Sequence, residues 1–412
     1  MTALPRRILH VDCDMFYVQV AQLLDPEGAG RKTHLIVGGT PGGRGVVTSA
    51  SYPVRGFGVR SGMPTGQALR LCPQATVVPV PRGACLERSH RVRDALTDVA
   101  PVVQAASIDE FYLDLSGTER LPGYADLDAL AHSLRAAVHA RSEISVSVGG
   151  GTTRIVAKLA TSLAKPGGVH VVAPGSEGEF MRRFDLAAIP GVGPTLAAAL
   201  ARRGLVTVAE ALEVEEVWLQ RWFGDARGAW LHRRIRGEDG STVDPDEPRK
   251  SISSERTFLS DLDADDLLEE HLFKLAIAVG GSLRKAGLRT RTVTVKLRDA
   301  DFTTRTAART LPEPVESDGA LYRVGRELLE SLRRKRRRPA RLLGVGVSGL
   351  APAVETRQLE FFGTRGRVEG ERERRLGQAV DRLRARFGEA AVLPGRITSS
   401  RPRDDDLDGR TR

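Results

Sequence analysis

The segment SIDEFYLDLSG, residues 107–117, sets Asp109 and Glu110 side by side ahead of an apolar run, and a second apolar stretch, PVVQAA, lies just upstream. Adjacent carboxylates raise each other's pKa and resist burial. Between two strand-like segments they call for a hairpin. In regular strand the two side chains would point to opposite faces, whereas a tight turn lets both face one side. A further acidic strand end occurs in HVDCDMFY, where Asp12 and Asp14 follow an apolar run. Carboxylates from two neighbouring strand ends collect hard divalent cations, and Mg²⁺ typically takes a few carboxylates plus substrate phosphates. Two such ions ~3.5–4 Å apart support in-line phosphoryl transfer. The plain alternative is a set of solvated turn acids. It would suffice for an isolated Asp-Glu pair, and the second acidic strand end is what favours a metal.

The 412 residues allow two to four domains, and a hydrophobic fraction of 41% is enough for packed cores. Lys and Arg number 62 against 52 Asp and Glu, a net charge of +10, and the sequence pI is near 9.9. A large basic chain of this kind meets a polyanion. Cys13, Cys72 and Cys85 have no CxxC spacing. That argues against a zinc site and a disulfide framework and suits a reducing cytoplasm. Neither the opening MTALPRRILHVDCD nor any later segment has the apolar length of a signal peptide or membrane span.

Along the chain, RRILHVDCD reads as a strand, MFYVQVAQLLDP as a helix, and TVVPV and PVVQAA as strands separated by the helix ACLERSHRVRDALTDVA. FYLDLSG, ISVSVGGG and GVHVVA are further strands, alternating with the helices YADLDALAHSLRAAVHARS and RIVAKLATSLAKP. This mixture predicts an α+β sheet covered on one face. The pattern turns helical from residue 174, STVDPDEPRK is a polar linker, and SISSERTFLS through LLGVGVSGL reads β-α-β-β-α-β. A charged tail, 352–412, follows.

Six segments now carry a resemblance: HVDCDMFY, SYPVRGFGVRSGMP, SIDEFYLDLSG, AKLATSLAKPGG, IPGVGPTLAAALARRGL and KSISSERTF. In this order and spacing they resemble the motif series of Y-family translesion DNA polymerases, of the bacterial DNA polymerase IV-like branch. The resemblance covers residues 6 to about 350. It implies a right-hand α+β polymerase: a ferredoxin-like palm (6–14 and 80–173), small fingers (15–79), a helical thumb (174–240), a linker (241–249), a βαββαβ little finger (250–351) and a tail (352–412).

By the same resemblance Asp12, Asp109 and Glu110 match the carboxylates that hold two Mg²⁺ ions, with Glu110 the active-site carboxylate and the Cys13 carbonyl a backbone ligand. Asp14 is expected in a supporting role. Tyr17 matches the aromatic gate that leaves no room for a 2′-hydroxyl. Tyr52, Arg55 and Lys165, with Ser49 a weaker candidate, match the residues that grip the dNTP triphosphate. Arg forks two phosphate oxygens where Lys acts as a point charge. The chain departs from the family pattern at Ala21 and Pro53, where acids are usual, and in GGGTTR, where an Asn-Lys pair is usual. None of these departures removes a catalytic group.

IPGVGPTLAAALARRG has a helix-hairpin-helix look, with Gly191 and Gly193 allowing close backbone approach to a phosphate at the next helix N-terminus. In RTRTVTVKLRD, Val293, Val295 and Leu297 alternate with Thr292, Thr294, Lys296 and Arg298. One face therefore packs on helices, and the other offers hydroxyls and cations to a DNA backbone. The basic run RRKRRRPAR, 333–341, is expected to contact DNA or to bridge the little finger and palm. Gln358, Leu359, Phe361 and Phe362 in QLEFF resemble the peptide that docks bacterial polymerases on the sliding clamp. The amphipathic helix behind it, with Leu376, Ala379, Val380, Leu383 and Phe387 in a stripe, offers the alternative of folding back and burying the two phenylalanines.

The resemblance implies a monomeric cytoplasmic DNA polymerase acting on primer-template DNA and dNTPs, of low fidelity and without an evident exonuclease segment. Two other readings stay open. A catalytically dead Y-family adaptor would lack a carboxylate, and a non-polymerase helix-hairpin-helix DNA-binding protein would lack the triphosphate grip.

Overall fold

The computed structural model describes residues 5–353, 368–388, 391, 392 and 395. The chain divides into two compact units, 1–247 and 248–412, and the predicted linker straddles their boundary. In the first unit β1 (Ile8–Cys13) passes through Asp14 and Met15 into α1 (Phe16–Leu24). Met15 makes the turn at φ 37°, left-handed backbone that a bulky L-residue keeps only when its surroundings hold it. Next come β2 (Leu35–Gly38), β3 (Val47–Ala50), α2 (Tyr52–Arg55), α3 (Thr65–Leu71) and β4 (Thr76–Val78). Their three strands form a small sheet in the order β3-β2-β4. LIVG and VTSA are too short to show alternation, so the pattern reading found only the third strand, inside TVVPV.

The chain continues with α4 (Arg82–Thr97), the hairpin of β5 (Val102–Ala105) and β6 (Glu110–Asp114), α5 (Leu127–Ser142), β7 (Val146–Gly151), α6 (Arg154–Ala164) and β8 (Val169–Val171). The five-stranded sheet runs β5-β6-β1-β7-β8, with β1 antiparallel to both neighbours. Leu9, Val11 and Cys13 point to the face packed by α4 and α5. Ile8, His10 and Asp12 point to the other, as the twofold period of a strand requires. The sequence predicted one covered face, but α6 forms a layer on the second. Its Thr161 hydroxyl lies 2.9 Å from His10 Nδ1. Such close approach needs a floor without side chains. A Cβ at Gly149 would lie 2.2 Å from the Ala157 carbonyl oxygen, and one at Gly151 2.5 Å from Val156 Cγ1. Gly149 and Gly151 therefore admit α6 to the sheet.

Five short helices complete the unit: α7 (Glu177–Met181), α8 (Pro194–Ala201), α9 (Val208–Leu212), α10 (Glu216–Phe223) and α11 (Asp225–Arg234). They pack round Phe180, Met181, Leu200, Leu219 and Leu231.

The second unit has the expected order: β9 (Ser251–Leu262), α12 (Asp265–Lys285), β10 (Leu288–Asp299), β11 (Thr304–Val315), α13 (Asp318–Lys335) and β12 (Ala340–Pro352). Its sheet runs β11-β10-β12-β9. Val293, Val295 and Leu297 join the core with α12 and α13, as their alternation requires. One expectation changes here, and the docking face of the tail helix is fixed. In the basic run Arg333 is buried and bonds Asp263 and Asp265, at 3.0 and 2.7 Å, while Arg336 pairs with Asp299 and Asp301, at 2.6 and 2.5 Å. These two arginines hold the unit's own turns. The tail helix α14 (Glu371–Phe387) docks by its polar side, through Arg284–Asp381 and Arg323–Glu373, both 2.6 Å. Leu376 and Phe387 stay 63% and 62% exposed, because ion pairs with α12 and α13 fix the rotation of the helix. Gln358, Leu359, Phe361 and Phe362 lie outside the described residues. No helix among the described residues is long and apolar enough to cross a membrane.

Gly149→Ala forces a methyl group into the backbone of α6. Overpacking of this kind costs about 1–3 kcal/mol. A thermal melt of this variant is expected to fall several degrees below the unsubstituted chain; an unchanged melt would show that α6 can lift away.

Candidate active site

Antiparallel pairing sets Asp12 directly opposite Glu110, and the Cys13 amide donates to the Asp109 carbonyl at 2.9 Å. Both predicted carboxylate groups thus meet at adjacent strand ends. The β5–β6 turn is shaped by Ser107, a residue the sequence reading passed over. Its hydroxyl accepts from the amides of Asp109 (3.2 Å) and Glu110 (3.0 Å) and donates to the Asp109 carboxylate.

The three carboxylates do not converge on one point: among the described residues no three His, Cys, Asp or Glu side chains gather as metal ligands. Each has its own partner. Lys165 Nζ is 2.7 Å from Asp12 Oδ1, and Lys158 Nζ is 2.5 Å from Glu110 Oε2. Lys158 was also missed, although it stands seven residues before Lys165, two helical turns along α6 and its end. The donor set fits a hard divalent cation. It offers only oxygen, from Asp12, Asp109, Glu110 and the Cys13 carbonyl, and its negative charge is offset here by two ammonium groups.

His10, two residues before Asp12 on the same strand face, was likewise missed. It is 1% exposed, and its Nε2 stands 3.7 Å from Glu110 Oε2. That is beyond hydrogen-bond range, so the contact acts through its field. Burial lowers the pKa of His10. His10 beside it and Lys158 bonded to it hold the Glu110 carboxyl down to about 2, against the opposing effect of partial burial. At 2.5 Å the ammonium is the stronger physical partner. Asp12 moves the other way. Burial raises its pKa, Glu110 and Asp109 raise it further, and Lys165 only partly compensates. Burial and the surrounding carboxylates also push the Cys13 thiol well up, which leaves its carbonyl as the useful group.

Asp14, 2% exposed, accepts four hydrogen bonds: from Tyr52 Oη (2.9 Å), Ser147 Oγ (2.8 Å), Ser145 Oγ (3.2 Å) and the Gly167 amide (2.9 Å). It ties the start of α2 to the palm-like sheet and to the turn after Lys165. Arg55 is exposed and donates to the Ala50 carbonyl at 2.9 Å, with its guanidinium 5.1 Å from the centre of the Tyr52 ring. Ser49 is buried in β3. Tyr17 lies in the first turn of α1, half-buried, its pKa raised by burial and by Asp109.

Elsewhere, Gly191 has φ 97°, and a Cβ there would lie 2.6 Å from Trp230 Cζ2. Gly193 caps α8 with open space around it. Thr292, Thr294, Lys296 and Arg298 all point away from the core of the second unit.

Residues 11–162 match the impB/mucB/samB family, and residues 249–361 match the impB/mucB/samB family C-terminal domain. A protein named DNA polymerase IV, from Caulobacter vibrioides, is 37% identical over 394 residues, 96% of this chain and 94% of that protein. Among solved structures, a Y-family DNA polymerase chimera built on Dbh is similar at TM-score 0.76 and 26% identity, covering 83% of this chain and 98% of that one. An insertion ternary complex of Dbh DNA polymerase is similar at TM-score 0.60, with the same identity and coverage.

The Glu110 pKa has a signed consequence in the metal-free protein. A carboxyl depressed on folding contributes stability that is full above its ordinary value near 4.5 and is lost as pH falls through about 2. Urea unfolding of the unsubstituted chain is expected to lose more stability over that window than Glu110→Gln does; equal slopes would mean Glu110 is not held by its neighbours.

Proposed function

The chain belongs to the impB/mucB/samB family, within the Y-family of DNA polymerases, and from that membership we propose how its residues divide the work of template-directed translesion synthesis. It is a DNA-directed DNA polymerase: the primer 3′-hydroxyl attacks the α-phosphate of a dNTP and pyrophosphate leaves. The observation that carries the assignment is the pairing of β1 with β6, which sets Asp12 opposite Glu110 with Lys158 and Lys165 beside them. All three carboxylates are present, which argues against an inactive adaptor. The triphosphate-gripping set argues against a DNA-binding protein without polymerase chemistry.

The family depends on divalent metal; here Asp12, Asp109, Glu110 and the Cys13 carbonyl would hold it, as two Mg²⁺ ions. Bound there, such ions would supply the charge that lowers the pKa of the attacking hydroxyl and offsets the phosphates. The protein's own side chains supply position. Lys165, the ion-pair partner of Asp12, is placed to reach a triphosphate oxygen. Arg55, exposed beside Tyr52, reaches the same triphosphate, with buried Ser49 lining the base of the grip. Tyr17 lies under the incoming sugar and excludes a 2′-hydroxyl. Residues 6–14 and 80–173 form the palm, 15–79 the fingers, 174–240 the thumb and 250–351 the little finger.

Primer-template DNA is held without sequence preference. The amides at Gly191 and Gly193 meet phosphates on the thumb, and the Thr292, Thr294, Lys296 and Arg298 face tracks the backbone on the little finger. The enzyme works as a monomer in the cytoplasm, and small fingers favour lesion bypass at low fidelity without proofreading. QLEFF docks the sliding clamp, with Leu359, Phe361 and Phe362 filling an apolar pocket and the Gln358 amide bonding at its rim.

In primer extension, Glu110→Ala and Asp109→Ala are expected to lose at least roughly a hundredfold in rate with DNA binding retained, since the lost charge acts mainly in the transition state. Near-normal extension by either would remove the carboxylates from the chemistry. In the same assay Tyr17→Ala is expected to raise the ratio of ribonucleotide to deoxynucleotide incorporation, and an unchanged ratio would return Tyr17 to a packing role. The double replacement Phe361→Ala with Phe362→Ala is expected to abolish stimulation by purified clamp at an unchanged melting temperature. Retained stimulation with a lowered melt would assign the pair to folding.

A further inference from the structure

The outward face of the second unit's sheet carries a charge arrangement that a surface built only to attract phosphate would not need. Strand register places Lys296, Gly344 and Glu255 in one row across β10, β12 and β9. Lys296 Nζ lies 2.9 and 3.0 Å from the two carboxylate oxygens of Glu255. The two residues stand on strands separated by a third, about 9–10 Å apart, so both side chains lie flat across the middle strand. Gly344 makes the crossing possible. A Cβ there would sit 2.7 Å from Glu255 Cγ. In the four rows through Thr292, Thr294, Lys296 and Arg298, the outward positions of all four strands hold hydroxyl, small, apolar or basic residues, and Glu255 is their one carboxylate.

We propose that Glu255 is a counter-charge built into the DNA-facing sheet, which holds Lys296 over Gly344 and sets how weakly the little finger grips duplex. The inference rests on the reading that this face meets the DNA backbone. Phosphates approaching the row meet a cation already shared with an anion, so the row adds little net attraction. The side chains are 31% and 37% exposed, accessible enough for an approaching phosphate to feel both. A polymerase with such a device releases DNA more readily than its Thr, Lys and Arg pattern alone would allow.

The test is a fluorescence-anisotropy titration of the full chain with a primer-template duplex between 50 and 200 mM KCl. Each phosphate contact contributes a slope of about 0.9 in log affinity against log salt. Glu255→Gln is expected to bind roughly 3- to 10-fold more tightly at 150 mM salt, with the slope steeper by about 0.9. Gly344→Ala displaces the carboxylate without changing the charge, and is expected to tighten binding in the same direction by about twofold. Thermal melts establish that each variant is folded, and either variant alone suffices as the test. Arg298→Ala separates the two levels of the argument. If it weakens binding while Glu255→Gln and Gly344→Ala leave affinity and slope unchanged, the face meets DNA and the counter-charge role is wrong. If Arg298→Ala also has no effect, the face does not meet DNA, and the reading and the inference fall together.

Discussion

Carboxylates meeting at the ends of two antiparallel strands stay close only if positive charge is brought to them. Two unit charges 4 Å apart interact by about 4 kcal/mol at the effective dielectric of a protein surface. Three like charges on Asp12, Asp109 and Glu110 are therefore a substantial strain without compensation. The compensation comes from one segment: Lys158 inside α6 reaches Glu110, and Lys165 at its end reaches Asp12. Both depend on how near α6 lies to the sheet, and that distance is set by Gly149 and Gly151. The same lysines make the site exchangeable, because an ammonium partner on a flexible stem leaves a carboxylate more easily than a packed side chain would.

Asp12 and Asp14 stand two residues apart and do different work. A carboxylate has about four lone-pair sites, and Asp14 spends them on four protein donors. It has no capacity left for a cation. Asp12 has one ion-pair partner, Lys165, and a pKa raised first by burial, so unlike Asp14 it keeps lone pairs free. Asp14 makes Tyr52 part of the same hydrogen-bonded unit as the turn after Lys165. Two residues proposed to grip the triphosphate, Tyr52 at the start of α2 and Lys165 two residues before the Gly167 amide, thereby share an anchor close to Asp12.

Much of this was legible before any coordinates. The β-α-β-β-α-β order of the second unit, the inward Val293, Val295 and Leu297, and the meeting of HVDCD with SIDEF follow from period and from the pairing of acidic strand ends. Other features left no local signal. LIVG and VTSA are four-residue strands whose identity comes from pairing partners. Lys158 and His10 act across elements, and only the helical spacing of seven and the strand spacing of two hinted at them. Arg333 and Arg336 looked like free cations because Asp263, Asp265, Asp299 and Asp301 lie far from them in sequence. The docking face of α14 left no local signal for the same reason. Its apolar stripe is plain in the sequence, but the ion pairs that override it come from α12 and α13.

Those failures share a cause with the device in the second unit's sheet. Periodicity reports where apolar side chains go, because burial is driven by area and needs no particular partner. A charged side chain on a long stem goes wherever an opposite charge can be reached, and reach depends on what lies between. Over Gly344 nothing stands in the way, so Lys296 and Glu255 meet across a strand. Over Gly149 nothing stands in the way of a whole helix, so Lys158 meets Glu110. In both units the absence of a side chain, at Gly149 and at Gly344, decides where charge is delivered, so these glycines shape the two charge pairs as much as the charged residues they let through.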